Sequence, residues 1–102
     1  MKAVIIEKFG DLNGSIIKDV PIPKPDRNQV LIKIRAAGVN RPDILQRKGL
    51  YKVPLNASPI MGLEVAGEVV EMGDDVSTNE LGDRVTALVP GGGYAEYVVT
   101  NH

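Results

Sequence analysis

The sequence predicts a mainly β fold, a partly open β-barrel that carries one short helix. Three observations point to this fold. Short apolar runs alternate with turn residues, the apolar content is dominated by Val, Ile and Leu, and aromatic residues are scarce, with one Phe, three Tyr and no Trp. β-branched side chains favour strands, and many short strands separated by turns are typical of small barrels. A chain of 102 residues fits one domain.

Six strands are predicted along the chain. The clearest, residues 30–35, places Val30, Ile32 and Ile34 on one face, because side chains alternate along a strand. Gly67 interrupts another and predicts a bulge or a sharp bend there. The predicted strands are residues 1–7, 15–20, 30–35, 63–72, 84–89 and 94–100.

Residues 41–46 predict the one short helix. Asn40 is a preferred helix cap, Pro42 is tolerated in the first turn, and Gly49 is suited to ending the helix. A proline-containing loop follows over residues 50–61. The glycines at 91–93 predict a tight turn between the last two strands, since no helix follows them that could hold a phosphate.

Composition argues against several classes of function. The net charge of −1 gives no field that would gather nucleic acid or a membrane surface. The chain has no Cys, and its one His is His102, so a zinc site of the usual ligands is not expected. The first apolar run ends at Glu7, too short for a signal peptide, and a cytoplasmic location is expected.

Five motifs, in order along the whole chain, carry a resemblance to a known family. They are Gly38-x-Asn40-x-x-Asp43, Arg47-x-Gly49-x-Tyr51, Pro59-x-x-Gly62-x-Glu64-x-x-Gly67, Gly82-Asp83-Arg84-Val85 and Gly93-Tyr94-Ala95-Glu96-Tyr97. With them the chain resembles the N-terminal, GroES-like domain of the medium-chain dehydrogenase/reductase superfamily. Within it the chain is most similar to the quinone oxidoreductases, including the p53-inducible quinone reductase-like members. The resemblance implies that residues 1–102 form a GroES-like, substrate-side catalytic domain and that a Rossmann cofactor domain is absent from this chain.

The zinc-binding positions of the alcohol dehydrogenase branch are changed here. Asn40 stands where that branch has a ligand Cys, and Leu63 stands where it has a ligand His. A three-ligand catalytic site does not survive the loss of two ligands. The resemblance therefore implies an enzyme without zinc that transfers hydride from NADPH or NADH to a small-molecule quinone or enone, and whose intact form is a homo-oligomer.

The same resemblance implies that Asn40, Asp43 and Tyr51 line the cleft beside the nicotinamide ring. We expect Tyr51 to hydrogen-bond substrate or cofactor, Asn40 to contact the cofactor as a neutral polar group, and Asp43 to orient this catalytic network. Structural alternatives stay open for all three. Asn40 fits a helix cap, Asp43 fits a first-turn carboxylate favoured by the helix dipole, and Tyr51 fits a packed loop residue.

Two other functions share this fold. A zinc-free enoyl or alkenal reductase of the same superfamily would use the same domain, and a non-enzymatic co-chaperonin-like module would share the architecture. Fold alone does not choose between them. The chain by itself is expected to be inactive, because it has no Gly-x-Gly-x-x-Gly fingerprint for a dinucleotide.

Overall fold

The computed structural model describes residues 1–102 and confirms a mainly β fold with one α-helix. The strands are β1 (Lys2–Ile6), β2 (Ser15–Asp19), β3 (Gln29–Ala37), β4 (Glu64–Met72), β5 (Arg84–Leu88) and β6 (Tyr97–Asn101). The helix α1 spans Arg41–Arg47, and a 3-10 turn at Leu12–Gly14 precedes β2. No helix has both the length and the apolar character needed to cross a membrane.

The strands form two open sheets. β1 and β2 pair as an antiparallel hairpin, and the other four strands form an antiparallel sheet in the order β5-β4-β3-β6. An isolated antiparallel bridge between Ala3 and Ala95 joins the hairpin to the segment before β6. The barrel is therefore partly open, as expected, because the two sheets meet at this bridge and do not close.

The core lies on one face of the four-stranded sheet. It is built of six buried residues from its strands and the β5–β6 loop: Val30, Ile32, Val65, Val69, Val89 and Val98. Five of the six are valine, so the core has the β-branched character that the composition predicts. Ile34, predicted on the same face, is half-buried and packs against this cluster. Leu31 is also buried, so this part of β3 is covered on both faces.

The irregularity predicted at Gly67 lies in the pairing of β3 with β4. The register shifts between Ile34 and Ala36, which leaves Arg35 as the extra residue opposite Gly67 and Ala66. A side chain at Gly67 would collide with the backbone carbonyl of Lys33. The backbone of β3 therefore leaves no room for a side chain at this position of β4.

β6 begins at Tyr97, three residues later than predicted. Tyr94 is instead held by other segments: its N–H donates to the Met61 carbonyl at 2.8 Å, and its carbonyl accepts from Val4 N–H at 2.8 Å. Gly92 N–H and Gly93 N–H donate to the carbonyls of Ile60 and Gly62. The glycine segment is thus the turn predicted from the sequence, but it runs against the 60–62 segment before the strand starts.

Substitution of Gly62 tests how much the close contact between the 60–62 and 92–94 segments contributes to stability. Its φ is +98°, and a Cβ there would lie 2.5 Å from Tyr94 N and 2.8 Å from the Gly93 carbonyl carbon. Gly82 has a similar φ of +89° but open space around it. We expect Gly82→Ala to lower the free energy of unfolding by about 1 kcal/mol through backbone strain. Gly62→Ala should cost at least about 2 kcal/mol more, through overpacking.

Urea unfolding of the two variants measures this difference. Both substitutions share the cost of a positive φ, so the comparison isolates the contact with the 93–94 segment. Equal losses in the two variants would contradict the assignment of Gly62 as a close-packing position.

Candidate functional site

The site begins at the N-terminus of α1, where Asn40 is the capping residue. Its backbone is extended, with φ −127° and ψ 159°. Asp43, three residues on, accepts a hydrogen bond through Oδ2 from the Asn40 backbone N–H at 3.0 Å, and its own N–H donates to the Asn40 carbonyl at 3.0 Å. These bonds satisfy groups that a helix start leaves unpaired. Asn40 is thus the N-cap residue and Asp43 is a first-turn carboxylate, but the side chain of Asn40 makes no capping hydrogen bond.

Asp43 has a second partner, which sequence reasoning missed. Tyr94 donates its hydroxyl to Asp43 Oδ2 at 2.6 Å, and Asp43 is only 2% exposed. Burial raises the pKa of the Tyr94 hydroxyl well above its usual range, and the hydrogen bond to Asp43 and the charge of Asp43 act in the same direction. Tyr94 stays protonated at any ordinary pH and serves as a fixed donor.

The side chain of Asn40 points to the start of β4. Its amide Nδ2 donates to Glu64 Oε1 at 3.2 Å. Gly38 makes room for this contact, since a side chain at Gly38 would collide with the Glu64 carboxylate. An amide carries two N–H donors, so one donor of Asn40 remains for a ligand.

Tyr51 lies outside this network. It is half-buried in the loop between α1 and β4, and its hydroxyl makes no hydrogen bond with another residue of the chain. The structure thus brings Asn40 and Asp43 together and leaves Tyr51 as an uncommitted donor. The catalytic and cofactor-binding roles given to these three residues stay predictions.

Two residues that sequence reasoning passed over take part in the site. Glu64 accepts a hydrogen bond from the Asn40 side chain and so orients it. Tyr94 stands inside the fifth family motif, directly after three glycines, and that position was the available signal. Arg47 donates to the Gly10 carbonyl at 2.6 Å and fixes the β1–β2 turn to α1.

The structure also shows how the potential metal ligands of the chain are placed. No group of three or more His, Cys, Asp or Glu side chains is arranged to hold a metal ion. Asn40 offers a neutral amide at the position of the zinc branch's ligand Cys, and its amide is bonded to Glu64. The donor set at this position does not fit the usual tetrahedral zinc site.

Comparison with known proteins decides the family. The family model for the alcohol dehydrogenase GroES-like domain matches residues 26–102. The chain belongs to this family. The sequence-based expectation of a GroES-like domain is thereby confirmed.

Individual relatives agree with that assignment. The quinone oxidoreductase of Sus scrofa is 43% identical over 105 residues, which cover 97% of this chain and 31% of the relative. The structure of the quinone oxidoreductase from Coxiella burnetii matches with a TM-score of 0.89 at 34% identity, covering 99% of this chain and 34% of the other. A mycobacterial protein solved in complex with NADPH matches with a TM-score of 0.85 at 32% identity, covering 99% and 32%. The chain spans about a third of the length of these proteins.

The contact between Tyr94 and Asp43 makes a testable contribution to stability. We expect Tyr94→Phe to lower the free energy of unfolding at neutral pH by about 1–3 kcal/mol, because the buried Asp43 oxygen loses a donor. Tyr97→Phe, which removes a hydroxyl that donates no hydrogen bond to another residue, is the matched control and should cost less. Denaturant unfolding monitored by circular dichroism gives both values.

The same variant has a predicted pH dependence. The native state holds the Tyr94 proton more tightly than the unfolded chain does, because an unfolded tyrosine has its ordinary pKa of 10.0. The contribution of Tyr94 is therefore complete below about pH 10 and declines as the pH rises above it. The difference in free energy of unfolding between wild type and Tyr94→Phe should therefore shrink between about pH 9 and about pH 11, roughly one pH unit on either side of the ordinary tyrosine pKa. A difference that grows over this range would rule out the assigned hydrogen bond.

Proposed function

We propose that this chain is the substrate-side domain of an NAD(P)H-dependent quinone oxidoreductase that works without zinc. Residues beyond this chain would supply the Rossmann domain that binds the dinucleotide, and the chain alone would be inactive. The likeness to quinone oxidoreductases, of which the chain spans about a third, supports this proposal. A related mycobacterial protein solved with NADPH supports the choice of cofactor.

The observation that carries the proposal is that two neutral donors are uncommitted, one on Asn40 at the start of α1 and one on Tyr51 in the loop after α1. Asn40 keeps one amide N–H, and the Tyr51 hydroxyl has no partner in the chain. Reduction of a quinone places negative charge on a carbonyl oxygen, and donors aimed at that oxygen stabilise it. An uncharged donor pair fits a carbonyl acceptor, which needs no metal to accept hydride.

The nicotinamide, when bound, supplies the hydride. This chain's own residues bind and orient the acceptor. Tyr51 and Asn40 would hold the carbonyl oxygen of the substrate, and Asn40 would also face the cofactor. Glu64 would hold Asn40 by accepting from the Asn40 side-chain amide, and Asp43 would hold it by accepting from the Asn40 backbone N–H. Tyr94, committed to Asp43, would not transfer a proton.

The role of Tyr51 can be tested in the full-length protein. We expect Tyr51→Phe to lower kcat for NADPH-driven reduction of 1,4-benzoquinone at least about tenfold, because a donor to the developing oxyanion is lost. Tyr97→Phe removes a hydroxyl on β6 and serves as the control, with kcat expected to be unchanged. Steady-state kinetics with both variants measures the effect. An unchanged kcat and KM in Tyr51→Phe would remove Tyr51 from the mechanism.

The absence of a zinc requirement can be tested separately. Because Asn40 and Leu63 replace two zinc ligands of the alcohol dehydrogenase branch, prolonged dialysis against a strong chelator should leave quinone reduction unchanged. Zinc added afterwards should not raise the rate. Activity that falls on chelation and returns with zinc would overturn this part of the proposal.

An enzyme that reduces 2-enals but no quinone would favour the alkenal reductase alternative.

A further inference from the structure

β5 is an edge strand, and its outer side has no neighbouring strand. The four-stranded sheet has the order β5-β4-β3-β6, so β5 pairs with β4 alone. At the opposite edge, Tyr97 and Val99 of β6 line a small cavity with residues 56–58, so another part of the chain lies beside that edge. An uncovered edge presents backbone groups with which a further strand can pair.

The hydrogen bonds at the two ends of β5 show which of its backbone groups are free. Val89 N–H donates to the Leu63 carbonyl at 2.9 Å, and Val69 N–H donates to the Asp83 carbonyl at 2.9 Å. Because bonding alternates along an antiparallel strand, the odd-numbered residues of β5 direct their backbone groups to β4. The even-numbered residues direct theirs away from the sheet, where no other residue of the chain bonds to them. These residues are Arg84, Thr86 and Leu88.

β5 carries little of what usually protects an edge strand from pairing. Proteins block such edges with proline, with a bulge or with charged side chains along the strand. β5 has no proline, and its register with β4 is regular over its whole length. Its one charged residue is Arg84, at the first position. At the other end Leu88 is 81% exposed, an apolar side chain that a partner would cover.

The sequence of β5 is complementary to itself. When two copies are paired antiparallel about a two-fold axis at Thr86, the two Thr86 residues face each other and Arg84 of each copy faces Leu88 of the other. Every outward N–H of one copy then donates to an outward carbonyl of the second. The two Arg84 residues lie four positions apart along the strands, about 14 Å, so their charges are largely screened from each other. A register centred on Arg84 would instead set the two like charges face to face.

The charges of the chain also favour a second copy as the partner. The net charge is −1, so two copies repel each other only weakly at long range. Within its own sheet Leu88 lies beside Glu64 of β4. Arg84 of the second copy would lie on the other side of Leu88, where its stem can cover the leucine and its positive charge is directed toward Glu64.

We propose that β5 is a self-association edge, through which two copies of this chain join their four-stranded sheets into one antiparallel sheet of eight strands. One pair of five-residue strands buries less area than a standard protein interface, so the dimer is weak and depends on concentration. The inference does not rest on the proposed reductase function, since Asn40, Asp43 and Tyr51 all lie outside β5.

Sedimentation equilibrium on the chain is the first test. We expect a reversible dimer with a Kd between about 10 μM and about 1 mM. Thr86→Asp and Thr86→Lys each set two like charges face to face at the axis and should raise the Kd at least about threefold. An equimolar mixture of the two variants should dimerise more tightly than either alone, because opposite charges then meet. A chain that stays monomeric at about 1 mM, or a dimer that neither substitution weakens, overturns the proposal.

A cysteine at the axis is the second test, since the chain has no Cys of its own. Facing residues of a hydrogen-bonded antiparallel pair have Cα atoms about 5.5 Å apart, a distance that a disulfide spans. With oxidised glutathione as the electron acceptor, Thr86→Cys should form a linked dimer at least about tenfold faster than the control Ile17→Cys. Ile17 is 73% exposed on β2, a strand that pairs with β1 alone. Equal rates would contradict the pairing about Thr86, and this uncharged variant decides if the charged ones do not fold.

Discussion

The buried carboxylate of Asp43 is the contact on which the geometry around the candidate site depends. One of its oxygens accepts from both the Asn40 backbone and the Tyr94 hydroxyl, which ties α1 to the segment before β6. Tyr94 in turn accepts from Val4 on β1 through its carbonyl. A buried carboxylate without such donors would be strongly unfavourable. The Asp43 side chain therefore joins the helix to the segment at Tyr94, and the backbone of Tyr94 in turn joins that segment to the hairpin.

The arrangement also divides the polar groups by role. Tyr94 is committed to Asp43 and has a raised pKa, so it is a structural donor. Asn40 donates one of its two amide hydrogens to Glu64 and keeps the other for a ligand. Tyr51 is committed to nothing in the chain. Groups that already have partners hold the site in shape, and the donors that remain are the ones a substrate oxygen can use.

Much of the fold could be predicted because local sequence dictates it. Alternation in residues 30–35 gave β3, and Asn40 with Pro42 gave the helix start, since periodicity and capping act within a few residues. The delayed start of β6 could not be predicted in this way. It results from the bonds of Tyr94 to Met61 and Val4, which are distant in sequence.

The candidate site was predictable to a smaller degree. Family motifs pointed to Asn40 and Asp43, and their closeness follows from three-residue spacing at a helix start. The hydrogen bond from Tyr94 joins residues 51 positions apart, and no local pattern reveals it.

The turn that precedes Tyr94 is fixed in length as well as in shape. The N–H groups of Gly92 and Gly93 each donate to a different carbonyl of the 60–62 segment, so the backbone of this turn cannot accommodate a change in length. One inserted residue would shift the chain by up to about 3.5 Å. The 2.6 Å hydrogen bond from Tyr94 to Asp43 would not survive a shift of that size. Insertions and deletions between homologous domains should therefore be rare in this turn.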